Sequence, residues 1–434
     1  MTTRRGAIPL RTRWPRTVSR AEFSAGDNPR VLLTSGSYRF NNVGDVAMCL
    51  VAARRLRAHL RSANVYVTAA DQAAVTRHGL DATAVDNVPW RAWGSAVGNW
   101  QHELDPGSPR WWLPFRHPYV FASSTVRTGQ FKTVPLLFDW IRFVESMDLV
   151  VLAGQGAIHD RSDRGVWRIA SLTLLAKSLG VPVIAPGQGV GPLLDRRFRE
   201  HAAIAMRHFD GLGLRDGSGS VETMRALGFG SDEYVVTGDD AIALALDQPT
   251  PVERETVGIS LRLNTASGLG PEVGGAVSEA IERFDPDRSL ALLPMMEGDG
   301  VSDTAALERI GGAGPRSVAE ATPASILPAI ARCRVVVTSA YHTAVFAQSM
   351  GVPVIALAAT PYYRAKLGGV LSMFDNRGGE MLDPTDPDFP ARLETSLRTW
   401  VRADVADDLR RRAREQATAG DEAFAMFLRN AGLL

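Results

Sequence analysis

Residues 31–45 read VLLTSGSYRFNNVGD. The stretch opens with a short apolar run over 31–34, passes through a loop containing Gly36 and Gly44, and enters a periodic segment over 45–59 with Val46, Leu50, Ala53 and Leu56 on one face. A strand, a glycine-bearing turn and an amphipathic helix in that order form the βα unit of a parallel sheet. The same order recurs on both sides of a polar, two-proline segment, DQPTPVERE, at 247–255. Before it, strands are expected at 65–68, 149–153, 181–185, 211–214 and 234–237, with helices at 167–179 and 197–208. After it, strands are expected at 257–261, 290–294, 335–339 and 354–357, with helices at 323–332 and 343–350.

The expected fold is therefore α/β, with two Rossmann-like domains of parallel strands facing a cleft. The first spans 30–246 and the second 256–400; residues 1–29 form a flexible basic tail, and 401–434 a charged helical segment that packs back across the first domain. Residues 88–131 interrupt the rhythm as an insertion. Its Trp90, Trp93, Trp100, Trp111 and Trp112 read first as packing residues and second as platforms for a sugar ring.

A chain of 434 residues is long enough for two cores. Its net charge of +1 argues against a general nucleic-acid binder, so any anion site must be local. Only Cys49 and Cys333 occur, both in apolar segments, which excludes a disulfide framework and fits a reducing, cytoplasmic location. No uninterrupted apolar run is long enough for a membrane span, and the twin Arg4-Arg5 is followed by no apolar signal region. Without HExxH, paired CxxC or a dense carboxylate cluster, no catalytic metal is expected.

In parallel sheets ligands bind beyond the carboxyl ends of strands, and this chain's unusual polar residues cluster in those loops. The first loop holds Asn42, Gly44 and Asp45, with Asp45 expected to cap the following helix. GQGAIHD at 154–160 carries Gln155, and GQGVGP at 187–192 carries Gln188. Neither loop has the GxGxxG order of a dinucleotide site or the GK[ST] of a P-loop. Arg215 follows the strand GLGL as an anion clamp or an ion-pair partner of Asp216. Arg262 ends another strand, and TSAYH at 338–342 places Ser339, Tyr341 and His342 at a helix entry, where the local dipole disfavours a charged imidazole and suits it to proton transfer. The other histidines read as solvated or packed. Tyr362, Tyr363, Arg364 and Lys366 follow the next strand, able to close over an anion or to form a surface helix.

Taken in order, N-x-G-D, G-x-G-x-x-x-D, G-Q-G-x-G-P, R-D, S-L-R and S-x-x-H-x-x-x-F-A-x-x-x-G-V-P resemble the polysaccharide pyruvyl transferase family over residues 31 to about 374. The resemblance implies a GT-B-like fold, no cofactor, phosphoenolpyruvate as co-substrate, and transfer of its pyruvyl group to a diol of a sugar-containing acceptor as a ketal. It implies His342 as acid and base and Arg262 on the donor's carboxylate or phosphate, with Ser339, Tyr341, Lys366 and Arg215 beside the donor and Asn42, Gly44, Asp45, Gln155 and Gln188 along the cleft. Many members carry Arg two residues before the histidine. Here that position is Ala340, leaving Lys366 or Arg364 to supply the charge. The usual D-P-A is Asp239-Asp240-Ala241, and R-D-x-x-S gains a residue between Arg215 and Ser220. Two other functions share this architecture: a nucleotide-sugar glycosyltransferase, and a silent glycan-binding protein, against which the presence of both Arg262 and His342 argues.

Overall fold

The computed structural model describes residues 28–101, 104, 107–125, 133–160, 163–251, 253–263, 267–285, 290–298, 301–311, 316–317 and 320–434. The basic tail, except for residues 28 and 29, and part of the insertion lie outside them.

Seven strands form the first sheet: β1 (Arg30–Thr34), β2 (Asn64–Thr68), β3 (Thr83–Val85), β4 (Leu149–Leu152), β5 (Val183–Gln188), β6 (Gly211–Leu214) and β7 (Val235–Val236). They are all parallel, in the order β3-β2-β1-β4-β5-β6-β7. A second set follows: β8 (Thr256–Ser260), β9 (Leu290–Leu292), the short antiparallel pair β10 (Glu297–Gly298) and β11 (Val301–Ser302), β12 (Arg316–Ser317), β13 (Cys333–Thr338), β14 (Val354–Leu357) and β15 (Gly379–Leu382). Its sheet is parallel in the order β12-β9-β8-β13-β14-β15. In both sheets the chain winds outward from its first strand, returns, and continues on the other side. That reversal opens a crevice between β1 and β4 in one sheet and between β8 and β13 in the other.

Alternation along the strands explains the layering. Val31 and Leu33 face one core while Leu32 faces another, and Val335 and Val337 diverge from Val336 in the same way. Helices fill both faces. The long C-terminal helix Ala406–Asn430 lies against the first sheet, where Phe424, Phe427 and Leu428 join the core of Val31 and Leu33. A further core joins the domains, since Val43, Ala47 and Met48 of helix Val43–His59 pack with Tyr341, Ala344 and Val345 of helix Tyr341–Ser349. Backbone hydrogen bonds from Val43 N to Met295 O and from Glu297 N to Asn41 O link the domains nearby.

The described part of the insertion packs into the first domain's core. Its helix Val88–Gln101 buries Trp90 and Trp93, and Trp111 is buried as well. The edge strands β3 and β12 are short and carry little apolar pattern, which is why the sequence reading passed over them. The first helix starts at Val43 rather than Asp45, because Asn42 is its cap, its side chain accepting from Gly44 N and Asp45 N. Asp45 is thereby released from the capping role expected of it.

Candidate active site

β8 and β13 are neighbours, with Ser260 in register with Thr338, so the residues just beyond them emerge at the same end of the crevice. Arg262 leaves one strand and His342 the other. Ser339 is fully buried, and its Oγ accepts the backbone N–H of Arg262 at 2.8 Å, tying the two loops together. The opposing domain presents the loops after β1, β4 and β6. Together they enclose a cavity of about 250 Å³ lined by Asn42, Asp45, Gln155, Arg215, Arg262, Ser339, Tyr341, His342 and Lys366.

Ten of the eleven residues singled out in the sequence converge on this place. Nine line the cavity, and the tenth, Gly44, forms the surface against which the imidazole lies: a Cβ at this position would sit 1.8 Å from His342 Nδ1. Gln188 is the exception. It is fully buried, and its amide donates to the carbonyls of Leu152, Ala153 and Pro186, so it braces the ends of β4 and β5 instead of meeting a ligand. Of the two cations proposed to offset Ala340, Lys366 lines the cavity, whereas Arg364 pairs with Asp383 on the surface. Arg215 packs its guanidinium 4.0 Å from the centre of the Tyr341 ring, and Lys366 Nζ lies 5.4 Å from the same centre. Tyr341 is thus the platform that holds two cations in place. Gly189 keeps that arrangement possible, since a Cβ there would fall 2.4 Å from Arg215 Cζ.

Three functional candidates escaped sequence reasoning. Asp239, buried beyond β7, places Oδ2 3.7 Å from His342 Nε2. His159 lines the cavity with its ring 5.2 Å from that of Tyr362, so it is not the merely packed or solvated histidine expected. Asp303 accepts from the N–H groups of Met295 and Met296 and lies 3.9 Å from Arg262 Nε. Asp239 and His159 stood in recognisable loops, but only the folded domain juxtaposition makes them neighbours of the imidazole and the tyrosine.

Burial and charge set the titration of these groups. The His342 pKa lies well below the usual imidazole value, first through burial and then through Arg215, Lys366 and Arg262. Burial and the nearby Arg215 and Arg262 also depress Lys366 to about 7. Burial pushes Asp45 up to about 6 against the pull of Lys366, Arg262 and Arg215, and pushes Asp239 up to about 6 against the pull of Arg215. Three basic side chains and the Asp45 and Asp239 carboxyl groups thus surround a neutral imidazole. Among the described residues no group of three or more His, Cys, Asp or Glu side chains could hold a metal ion. No helix there is long and apolar enough to cross a membrane.

Two winding parallel sheets with a site at their facing crevices define a GT-B-like architecture. Its solved likenesses include MnaA of S. aureus with UDP, at 11% identity over 94% of this chain and 98% of that one, with a TM-score of 0.59. They also include a UDP-GlcNAc 2-epimerase of Neisseria meningitidis bound to UDP-GlcNAc (10% identity; 92% and 100% covered; TM-score 0.55) and Acinetobacter baumannii MurG (11%; 93% and 100%; 0.51). At such identities the likeness concerns the fold. The sequence profile of the polysaccharide pyruvyl transferases matches residues 42–360, and the chain belongs to that family. No curated protein sequence matches it.

Proposed function

We propose that the protein transfers a pyruvyl group from phosphoenolpyruvate to a hydroxyl or diol of a sugar-containing acceptor. The observation that carries this reading is the convergence of Arg215, Arg262 and Lys366 on the His342 imidazole in a cavity of about 250 Å³. That volume accommodates a three-carbon phosphate. Both anionic groups of the donor need cations, and two guanidiniums and an ammonium supply them.

Binding changes the imidazole. The three cations help to keep free His342 neutral, and the donor's negative charge cancels their effect, so the ring takes up a proton in the complex. Protonated His342 faces the Asp239 carboxylate and gives its proton to the donor's methylene carbon, leaving an oxocarbenium-like centre at the adjacent carbon. The first acceptor hydroxyl adds there and returns a proton to the imidazole. The bond to phosphate oxygen then breaks, the second hydroxyl closes the ketal, and its proton leaves with phosphate. Of the two hydroxyl protons, one has ended on carbon and the other on phosphate, so His342 is regenerated.

Thermal melting with phosphoenolpyruvate and with a panel of uridine-diphosphate sugars tests the donor class. The expected result is stabilisation by phosphoenolpyruvate alone, growing with its concentration above the dissociation constant. Stabilisation by a nucleotide sugar without any by phosphoenolpyruvate would replace pyruvyl transfer with glycosyl transfer.

A further inference from the structure

A second cavity, of about 350 Å³, adjoins the first. The two share Gly156, Arg215, Tyr341, Tyr362 and Lys366 as a common wall. The second chamber is bounded by the loop 189–194 beyond β5, by helix Gly219–Ala226 of the first domain and by helix Pro361–Met373 of the second. Its character differs from that of its neighbour. Beyond the shared wall its charged lining residues are Asp216, Glu222 and, at the exposed rim, Arg199, while Val190, Pro192, Leu193, Leu194, Ala226 and Ala365 give it apolar surface.

Leu194 marks the mouth. It is 80% exposed, the highest value among the large exposed hydrophobic side chains of the described residues. There it extends the apolar lining of Val190, Pro192 and Leu193 out to the rim of the cavity. The polar atoms of the chamber floor are already engaged: Asp216 accepts from Ser220 N and Ser220 Oγ, and Thr223 Oγ1 donates to Gly219 O. Asp216 and Thr223 are thus satisfied within the chamber, and the charges of Glu222 and Arg199 stand at its exposed edge, leaving the apolar side chains as its inner surface.

We infer that this chamber is the acceptor subsite, and that the acceptor is a glycoside with an apolar aglycone: the sugar reaches the shared wall and the aglycone lies along Leu193, Leu194 and Ala226. The inference rests on the pyruvyl-transfer reading, because it needs the donor to fill the cationic chamber. The partition then has a purpose. Arg215 and Lys366 hold the anionic donor on one side, and the sugar hydroxyls approach it from the other.

The test uses the full chain with phosphoenolpyruvate present and compares binding of methyl and octyl β-D-glucopyranoside, the latter below its micelle concentration. The wild type should bind the octyl glycoside at least about tenfold tighter, the gain expected from burying only two or so of its extra methylenes. Ala226→Trp fills the chamber from an exposed helix position, and Leu194→Asp makes its rim polar. Each should reduce the octyl preference to about unity while stabilisation by phosphoenolpyruvate stays as in the wild type. Equal binding of the two glycosides by the wild type, or an octyl preference untouched in both variants, overturns the subsite. Loss of the phosphoenolpyruvate effect in the wild type would instead refute the donor reading, and it is read separately in the same melts.

Discussion

Asp239 and His342 meet across the gap between the two domains, carboxylate Oδ2 to imidazole Nε2, at 3.7 Å. Neither atom has a hydrogen-bond partner among the described residues. The pair is assembled from the end of the first domain's last strand and the start of a helix in the second, so it exists only when the domains stand together. A carboxylate at that distance would favour, by its charge, the imidazolium that the proposed reaction requires. Asp239→Asn should therefore retain the fold and bind donor while losing about 10²-fold or more in kcat. Phosphate release at saturating donor and acceptor, alongside a donor titration, reads both quantities.

The pH dependence of donor affinity follows from Lys366. Its pKa is depressed to about 7 by burial and the neighbouring arginines, and only the ammonium grips an anion. As pH rises through 7 the free protein loses this charge, and a donor that binds the charged form must restore it. Affinity for phosphoenolpyruvate should then fall by up to about tenfold per pH unit on the alkaline side. Lys366→Met should bind more weakly at pH 7 and lose the part of that slope due to the ammonium, leaving only the part due to proton uptake by His342, as calorimetric titrations from pH 6.5 to 9 would register.

Gly44 offers a purely steric prediction. With a Cβ placed 1.8 Å from His342 Nδ1, Gly44→Ala must push the imidazole from its seat beside Asp239. A displacement on the ångström scale can cost about 10²-fold in rate. The arginines and Lys366 are untouched, so donor binding should persist; kcat and thermal stabilisation by phosphoenolpyruvate, measured on one preparation, separate the two effects.

The division between what the sequence disclosed and what it withheld has a physical basis. The apolar runs that become β1, β6 and β14 are continuous and flanked by turn residues, so their positions follow from local pattern. β3 and β15 lie at sheet edges, where burial is incomplete and the signal fades, and β12, at another edge, is too short to carry a pattern. Arg262 and His342 were recognisable because each lies just past a strand end. Their adjacency depends on the pairing of β8 with β13, and the contribution of Asp239 depends on domain juxtaposition, neither of which is a local property. Gln188 failed for the opposite reason: a polar residue in a glycine loop looks available until three backbone carbonyls are found to occupy it.

That bracing role makes its own forecast. Gln188→Leu deletes three buried hydrogen bonds and leaves their carbonyls short of a donor, which should cost about 1–3 kcal/mol of stability. Donor affinity and turnover at 25 °C should remain close to those of the wild type. Denaturant unfolding paired with steady-state kinetics distinguishes this from a ligand-binding role, which would raise KM at unchanged stability.

The most direct examination of the central claim is phosphate release from phosphoenolpyruvate by wild type and His342→Gln, each with and without a glycoside acceptor. The amide keeps approximate size and polarity but cannot carry a proton between carbon and oxygen. Acceptor-dependent release by the wild type, lost by about 10²–10⁴-fold in the variant while phosphoenolpyruvate still stabilises the fold, is the predicted result. Release at wild-type rate from His342→Gln would contradict it.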